Sequence, residues 1–270
     1  MKSKRQGPGP PEPPKGARSL EEASYLIPGF RAVREAMTGS RIEIEELWIA
    51  QGKTSARAED LLEIAREKNI TVRPKKTSEL SVIFPDMAHQ GVVALAGRFA
   101  YTELNQIIEI SRQGQDQALL IAADHITDEG NLGALVRTSV FFGAHGLIIP
   151  KDRSARVTSK VIKRSSGACI YMPIARMVNL GRALDLLDGK GFWIIGTATD
   201  APETVYQFDW NRDLVLVLGN EERGLSHSVL KRCHQVVGIP SKGNMGSLNV
   251  SVAGGIFLSE IVRQRNLAKA

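Results

Sequence analysis

Two cysteines in 270 residues, Cys169 and Cys233, exclude a disulfide framework, and neither has the spacing of a metal ligand. Both read as reduced, small apolar core residues, and no metal is expected. No apolar run approaches the roughly 18 residues a membrane span needs, and the basic, Pro/Gly-rich N-terminus lacks the apolar core of a signal peptide. The expectation is a cytoplasmic protein with no membrane association. No G-x-G-x-x-G turn follows a strand-like run, which argues against a dinucleotide-type site. Nor is there an internal repeat.

What is present is enough apolar sequence, 43% hydrophobic residues, to bury the cores of one or two domains. A net charge of +6 suggests a polyanionic partner, yet Lys2, Lys4, Arg5, Lys15 and Arg18 against Glu12 place four of those charges in the first 18 residues. Local clusters must therefore carry any argument for nucleic acid. Residues 1–22 hold five of the 12 prolines among glycines and basic residues, and are expected to form a disordered tail.

Residues 23–100 alternate in period. Phe30–Met37 is helical, Ile44–Ala50 strand-like, and Ala56–Lys68 helical through Ala58, Leu61, Leu62 and Ala65; Ile70–Val72 and Gly91–Leu95 read as strands. This is a small α/β domain. The polar stretch 101–116 reads as a linker to a second α/β unit, 117–270. Its strand candidates, residues 118–123, 146–149, 192–196 and 214–218, are continuous apolar runs, as in parallel strands covered by helices on both faces. In such sheets ligands bind beyond the carboxyl ends of the strands.

Three blocks fall at those ends: Asp128-Glu129-Gly130-Asn131-Leu132-Gly133-Ala134-Leu135-Val136-Arg137-Thr138, then Gly219-Asn220-Glu221-Glu222-Arg223-Gly224-Leu225, then Ile239-Pro240 with Ser247-Leu248-Asn249-Val250-Ser251. A turn after an earlier strand, Gly196-Thr197-Ala198-Thr199, accompanies them. Glycine loops of this kind let backbone N–H and C=O groups approach a ligand closely. Together the blocks resemble the motif set of the SpoU (TrmH-like) branch of the SPOUT RNA methyltransferases. The closest subgroup is the bacterial 23S rRNA guanosine-2′-O-methyltransferases.

That resemblance implies transfer of a methyl group from S-adenosyl-L-methionine to a ribose 2′-hydroxyl of ribosomal RNA. It implies an α/β fold with a SPOUT-type parallel sheet, a C-terminal trefoil knot, an L7Ae/L30e-like substrate-binding domain in front, and a homodimer through the catalytic domain. Carried onto this chain, the cofactor-binding positions are Thr197, Ala198, Leu218, Gly219, Asn220, Gly224, Ile239, Ser247 and Leu248. The catalytic pocket is Arg137 with Asn131, Glu221, Ser247 and Asn249. Glu129, where the family commonly has proline, and Glu222, where it often has glycine, depart from the pattern and put loop conformation in question.

The same residues have ordinary structural roles open to them: Asn131 as a helix N-cap, Arg137 as a solvated flank residue and Glu221 as a capping carboxylate. An arginine is a poor base, because its pKa exceeds about 12. Arg137 is better suited to binding the phosphate beside the target ribose and stabilising a developing alkoxide, with Glu221 orienting its guanidinium. The adjacent Asp124 and His125 offer a competing acid/base pair, disfavoured because neighbours on an extended strand point to opposite faces. His89 belongs in a turn with Gln90 and Gly91.

Between the second and third strands lie Arg156, Lys160, Lys163 and Arg164, which form one basic stripe for phosphates if the segment is helical, with Val157 and Val161 facing inward. An ordinary solvated face is the competing reading. A last helix, Leu248 to Arg265, carries Ala253-Gly254-Gly255, and interior glycines suggest close backbone packing. A tRNA or resistance-type rRNA methylase, and a noncatalytic RNA-binding assembly factor, are the alternative functions; the last predicts decay of the polar motif residues, all of which are present.

Overall fold

The computed structural model describes residues 25–52, 55–244 and 246–269; the tail expected over 1–22 lies outside them. The first unit runs β1 (Tyr25–Pro28), α1 (Phe30–Thr38), β2 (Ile44–Ala50), α2 (Ala56–Glu67), β3 (Thr71–Lys75), α3 (Thr77–Ile83) and β4 (Val92–Ala96). Its sheet has the order β1-β4-β2-β3, with β4 antiparallel to both neighbours and β2 parallel to β3. β3 extends beyond the expected Ile70–Val72 through Pro74, which an edge strand tolerates because its outer N–H groups need no partner. The Ser55 hydroxyl accepts from the Ala58 amide at 3.2 Å and caps α2. Gln90 and Gly91 take φ of 55° and 77°, and His89 Nδ1 accepts from the Gly91 amide at 3.0 Å, so the expected turn into β4 forms.

Residues 101–116 are more than a linker. They contain α4 (Leu104–Ser111), whose Leu104, Ile107 and Ile108 are buried in the core of the second unit. The polar residues that suggested a linker line its outer face and the turn after it. The chain continues through β5 (Leu119–Ala123), α5 (Glu129–Phe141), β6 (Gly146–Pro150), α6 (Ser159–Arg164), a 3-10 turn at Ala168–Ile170 and β7 (Ile174–Met177). After α7 (Leu180–Asp188) come β8 (Trp193–Thr197), β9 (Glu203–Thr204), β10 (Leu214–Leu218), α8 (His227–Leu230), β11 (Gln235–Gly238) and α9 (Val250–Leu267).

These strands form one parallel sheet in the order β7-β6-β5-β10-β8-β11-β9. β5, β6 and β10 are buried along their whole length, as continuous apolar runs require. α5 and α9 pack together on one face. Gly254 permits that contact: a side chain there would begin 2.8 Å from Leu135 Cδ1 and 3.1 Å from Leu218 Cδ1. The far end of α9 is held by polar contacts, Arg265 donating to the carbonyls of Gln117 and Arg212 at 2.7 Å each. Beneath it the buried Trp210 packs edge-on against Phe208 and Phe257, and its indole N–H donates to the Val205 carbonyl at 2.8 Å.

Both cysteines are free thiols, Cys169 buried and Cys233 half-buried. Burial pushes each thiol up to about 11. No helix among the described residues is long and apolar enough to cross a membrane.

Candidate active site

Three adjacent strands, β10, β8 and β11, release their carboxyl-end loops side by side. After β10 the chain closes a tight loop: Asn220 and Gly224 exchange backbone hydrogen bonds of 3.0 and 2.8 Å, and Gly224 takes φ of 64°. Gly219 is required by closeness rather than by φ, since a side chain there would begin 2.6 Å from both the Gly224 carbonyl oxygen and the Leu225 nitrogen. Asn220 serves the loop itself. Its Oδ1 accepts from the amides of Glu222 and Arg223 at 3.0 and 3.2 Å, and its Nδ2 donates to the His125 carbonyl at 3.0 Å.

The loop after β8 touches the end of β11 directly. The Ala198 amide donates to the Val237 carbonyl at 3.2 Å, and a side chain on Gly238 would begin 2.8 Å from the Ala198 carbonyl oxygen. Thr197 spends its hydroxyl on the Val217 carbonyl at 3.0 Å, and Leu218 is buried at the end of β10. Ile239 is half-buried, while Ser247 and the 46% exposed Leu248 lie on the segment entering α9.

Beside these loops the structure joins three of the motif residues. Asn249 Nδ2 donates to Asn131 Oδ1 at 2.9 Å and to Glu221 Oε1 at 3.1 Å, and Asn131 Nδ2 donates to the same carboxylate oxygen. One carboxylate thus ties the start of α5, the loop after β10 and the start of α9. Asn131 does not cap its helix; Asp128 does, accepting from the Asn131 amide at 2.7 Å, which leaves the Asn131 side chain for the cluster. Asn249 is the cap of α9 and bonds Ser251 through Oδ1 while its Nδ2 serves the cluster.

Arg137 lies exposed on the flank of α5, as its position in the helical period predicts. Its partner is not Glu221: Nη1 donates to Ser166 Oγ at 3.2 Å, while the carboxylate is occupied by the two amides. Nor do the four basic residues form one stripe. α6 begins only at Ser159, so Arg156 precedes it; Lys160 and Arg164 are exposed, but Lys163 is half-buried with its ammonium against Gly29 of the first unit, where burial lowers its pKa. Val157 and Val161 are buried as expected. Arg164 leans along α5, its Nε 4.0 Å from where a Gly130 side chain would begin.

Asp124 is the residue that sequence reasoning undervalued. It is fully buried, accepts from the Ser226 amide at 2.6 Å through Oδ2, and meets His125 Nδ1 at 2.6 Å through Oδ1. The opposite-face argument fails because His125 turns off the strand with φ of 58°. An acid directly behind the apolar run Ala122-Ala123 was the available signal. The pair buttresses the loop after β10 from below.

The backbone groups, small residues and apolar Leu218, Ile239 and Leu248 at the three strand ends, beside the Glu221 carboxylate, fit an adenosyl and methionyl ligand better than a phosphorylated one. Among the described residues no cluster suits a metal ion. A parallel α/β unit with its polar cluster and glycine loops at the strand ends defines a methyltransferase-type site. Residues 118–259 match the SpoU rRNA methylase family and residues 26–102 match the RNA 2′-O ribose methyltransferase substrate-binding family. The chain belongs to the SpoU rRNA methylase family, and is an S-adenosylmethionine-dependent RNA 2′-O-methyltransferase. It is 38% identical to the Haemophilus influenzae 23S rRNA (guanosine-2′-O-)-methyltransferase RlmB, over 90% of this chain and 98% of that protein. Identity to RlmB of Pseudomonas aeruginosa is 36%, over 88% and 95%. The crystal structure of the SpoU methyltransferase AviRb from Streptomyces viridochromogenes in complex with AdoMet is 26% identical, covers 93% of this chain and 95% of that one, and superposes with a TM-score of 0.76.

Proposed function

We propose that this enzyme methylates the ribose 2′-hydroxyl of a guanosine in 23S rRNA, acting in the cytoplasm as a homodimer. The observation that carries the reading is the Asn131–Glu221–Asn249 cluster beside the glycine loops, in a chain whose two units match the catalytic and substrate-binding families of RNA 2′-O-methyltransferases. Relatives named for 23S rRNA guanosine, spanning nearly their full length, support the substrate.

Bound S-adenosylmethionine supplies an electrophilic methyl group. Thr197, Ala198, Leu218, Gly219, Gly224, Ile239, Ser247 and Leu248 would hold it, chiefly by backbone groups. Asn131, fixed by the Glu221 carboxylate and by Asn249, keeps one amide N–H and one carbonyl lone pair to orient the reacting ribose. Arg137 binds the phosphate next to that ribose and stabilises the oxyanion as the proton leaves for the phosphate, since a guanidinium cannot itself accept it. The Ser166 hydroxyl is its resting partner.

The strand order β10-β8-β11-β9, in which the chain runs out to the edge at β9, back to β10 and out again to β11 before α9 passes over Leu218 of β10, supports a trefoil knot. The mixed four-stranded sheet supports an L7Ae/L30e-like reading of the first unit. Exposed Phe141 at the end of α5 and Val252 at the start of α9 support pairing through those helices. The test is methyl transfer from labelled S-adenosylmethionine to unmodified 23S rRNA and to tRNA, with the 2′-O-methyl group located by resistance to alkaline cleavage. A single guanosine in 23S rRNA is expected; transfer to tRNA alone overturns the substrate.

A further inference from the structure

A groove of about 820 Å³ runs between the two units. Its cations are Arg98 from the first unit and Lys151, Arg156, Lys160 and Arg176 from the second, against two acids, Glu129 and Asp152. Among the described residues none of Lys151, Arg156, Lys160 and Arg176 forms an ion pair. Five cations against two acids leave the lining with a net positive charge, which an anionic ligand would complement.

The aromatic content of the groove narrows the class of anion. Tyr25 and Tyr101 share the lining, and Arg176 lies over the Tyr101 ring at 5.6 Å. The Arg176 Nη2 donates to the Lys151 carbonyl at 2.9 Å, while its buried Nε meets no acceptor. The Tyr101 hydroxyl accepts from the Val157 amide at 2.9 Å and so fixes the start of the basic segment to the domain junction. Cations tracking a backbone beside aromatic faces are the elements of single-stranded nucleic acid binding. The groove also leads to the chemistry: Glu129 in its lining opens α5 two positions before Asn131, and α6 carries the basic wall on to Arg164 beside Gly130.

We infer that this inter-domain groove binds a single-stranded RNA segment flanking the methylated nucleotide, its phosphates on Lys151, Arg156 and Lys160 and a base against Tyr25. The inference rests on the RNA-methyltransferase reading. It makes the two units one recognition surface and gives Glu129, which departs from the family pattern, the role of weakening that grip.

The test uses the full-length enzyme and a fluorescent rRNA fragment containing the mapped target. Lys151→Ala/Arg156→Ala removes two exposed cations that form no ion pair, and Arg182→Ala/Lys190→Ala, on the far side of the second unit, is the control. The groove variant is expected to bind RNA at least tenfold more weakly at 0.15 M salt. The log–log salt slope should shrink by about 1.4 for two single-strand phosphate contacts. KM for RNA rises, while kcat and S-adenosylmethionine affinity stay within twofold. Glu129→Gln should tighten RNA binding severalfold. Groove and control variants that match in affinity and salt slope overturn the inference. Failure of the wild-type enzyme to methylate rRNA is a separate outcome, because it refutes the proposed substrate before any groove variant is compared.

Discussion

Gly219→Ala is a one-methyl perturbation whose effect follows from the loop after β10. The new methyl carbon would start 2.6 Å from the Gly224 carbonyl oxygen and the Leu225 nitrogen, both backbone atoms with no rotamer to yield. Relief requires the loop to open and lose the paired Asn220–Gly224 hydrogen bonds of 3.0 and 2.8 Å. At about 1 kcal/mol net for each, the closed loop becomes less favourable by about 2 kcal/mol. If S-adenosylmethionine is held by the closed loop alone, its dissociation constant rises by that amount, about 30-fold. Isothermal titration calorimetry on wild type and variant reads the shift directly. A dissociation constant within threefold of wild type, with the variant folded by circular dichroism, refutes the loop's assignment to the cofactor.

Four shorter expectations follow from other parts of the molecule. Glu221→Ala removes the acceptor shared by Asn131 and Asn249 and should lower single-turnover methyl transfer about 100-fold, whereas Glu221→Gln keeps a neutral acceptor and should lose about tenfold. Equal rates for the two variants would show that the carboxylate does not organise the cluster. Gly254→Val crowds Leu135 and Leu218 and should cost about 1–3 kcal/mol, lowering Tm by about 2–4 °C per kcal/mol; an unchanged Tm would deny the tight α5–α9 contact. Because burial raises both thiols from the usual 9.0 to about 11, native Cys169 and Cys233 should react with iodoacetamide at pH 8 about 100-fold more slowly than after unfolding. The same shift means that their contribution to stability is intact below pH 9.0 and lost as pH rises toward 11, since only the unfolded chain ionises them in that interval. Urea midpoints that do not fall across that window would contradict it.

The parallel sheet was legible because β5, β6 and β10 are apolar at every position, a pattern that follows from helices on both faces. β7 and β11 were not, being four-residue strands with polar Arg176 and Gln235 among them. α4 was hidden because only three of its buried residues are apolar and a polar run follows. At the site, residue identities were readable from the motifs but pairings were not: the Asn131–Glu221–Asn249 contacts join positions far apart in sequence. No local pattern showed that Glu221 would take amides and leave Arg137 to Ser166. Lys163 was misplaced for the same reason, since helical spacing says nothing of a neighbouring domain that covers one side chain.

The central claim is that Arg137 acts on the RNA phosphate and the developing alkoxide through its planar fork of donors, and the direct measurement is a single-turnover comparison of Arg137→Lys with wild type on mapped 23S rRNA. Lysine keeps the charge and loses the bidentate geometry. The account predicts a methyl-transfer rate reduced at least 100-fold with RNA affinity within threefold of wild type. A rate within threefold of wild type at saturating RNA and S-adenosylmethionine would contradict it.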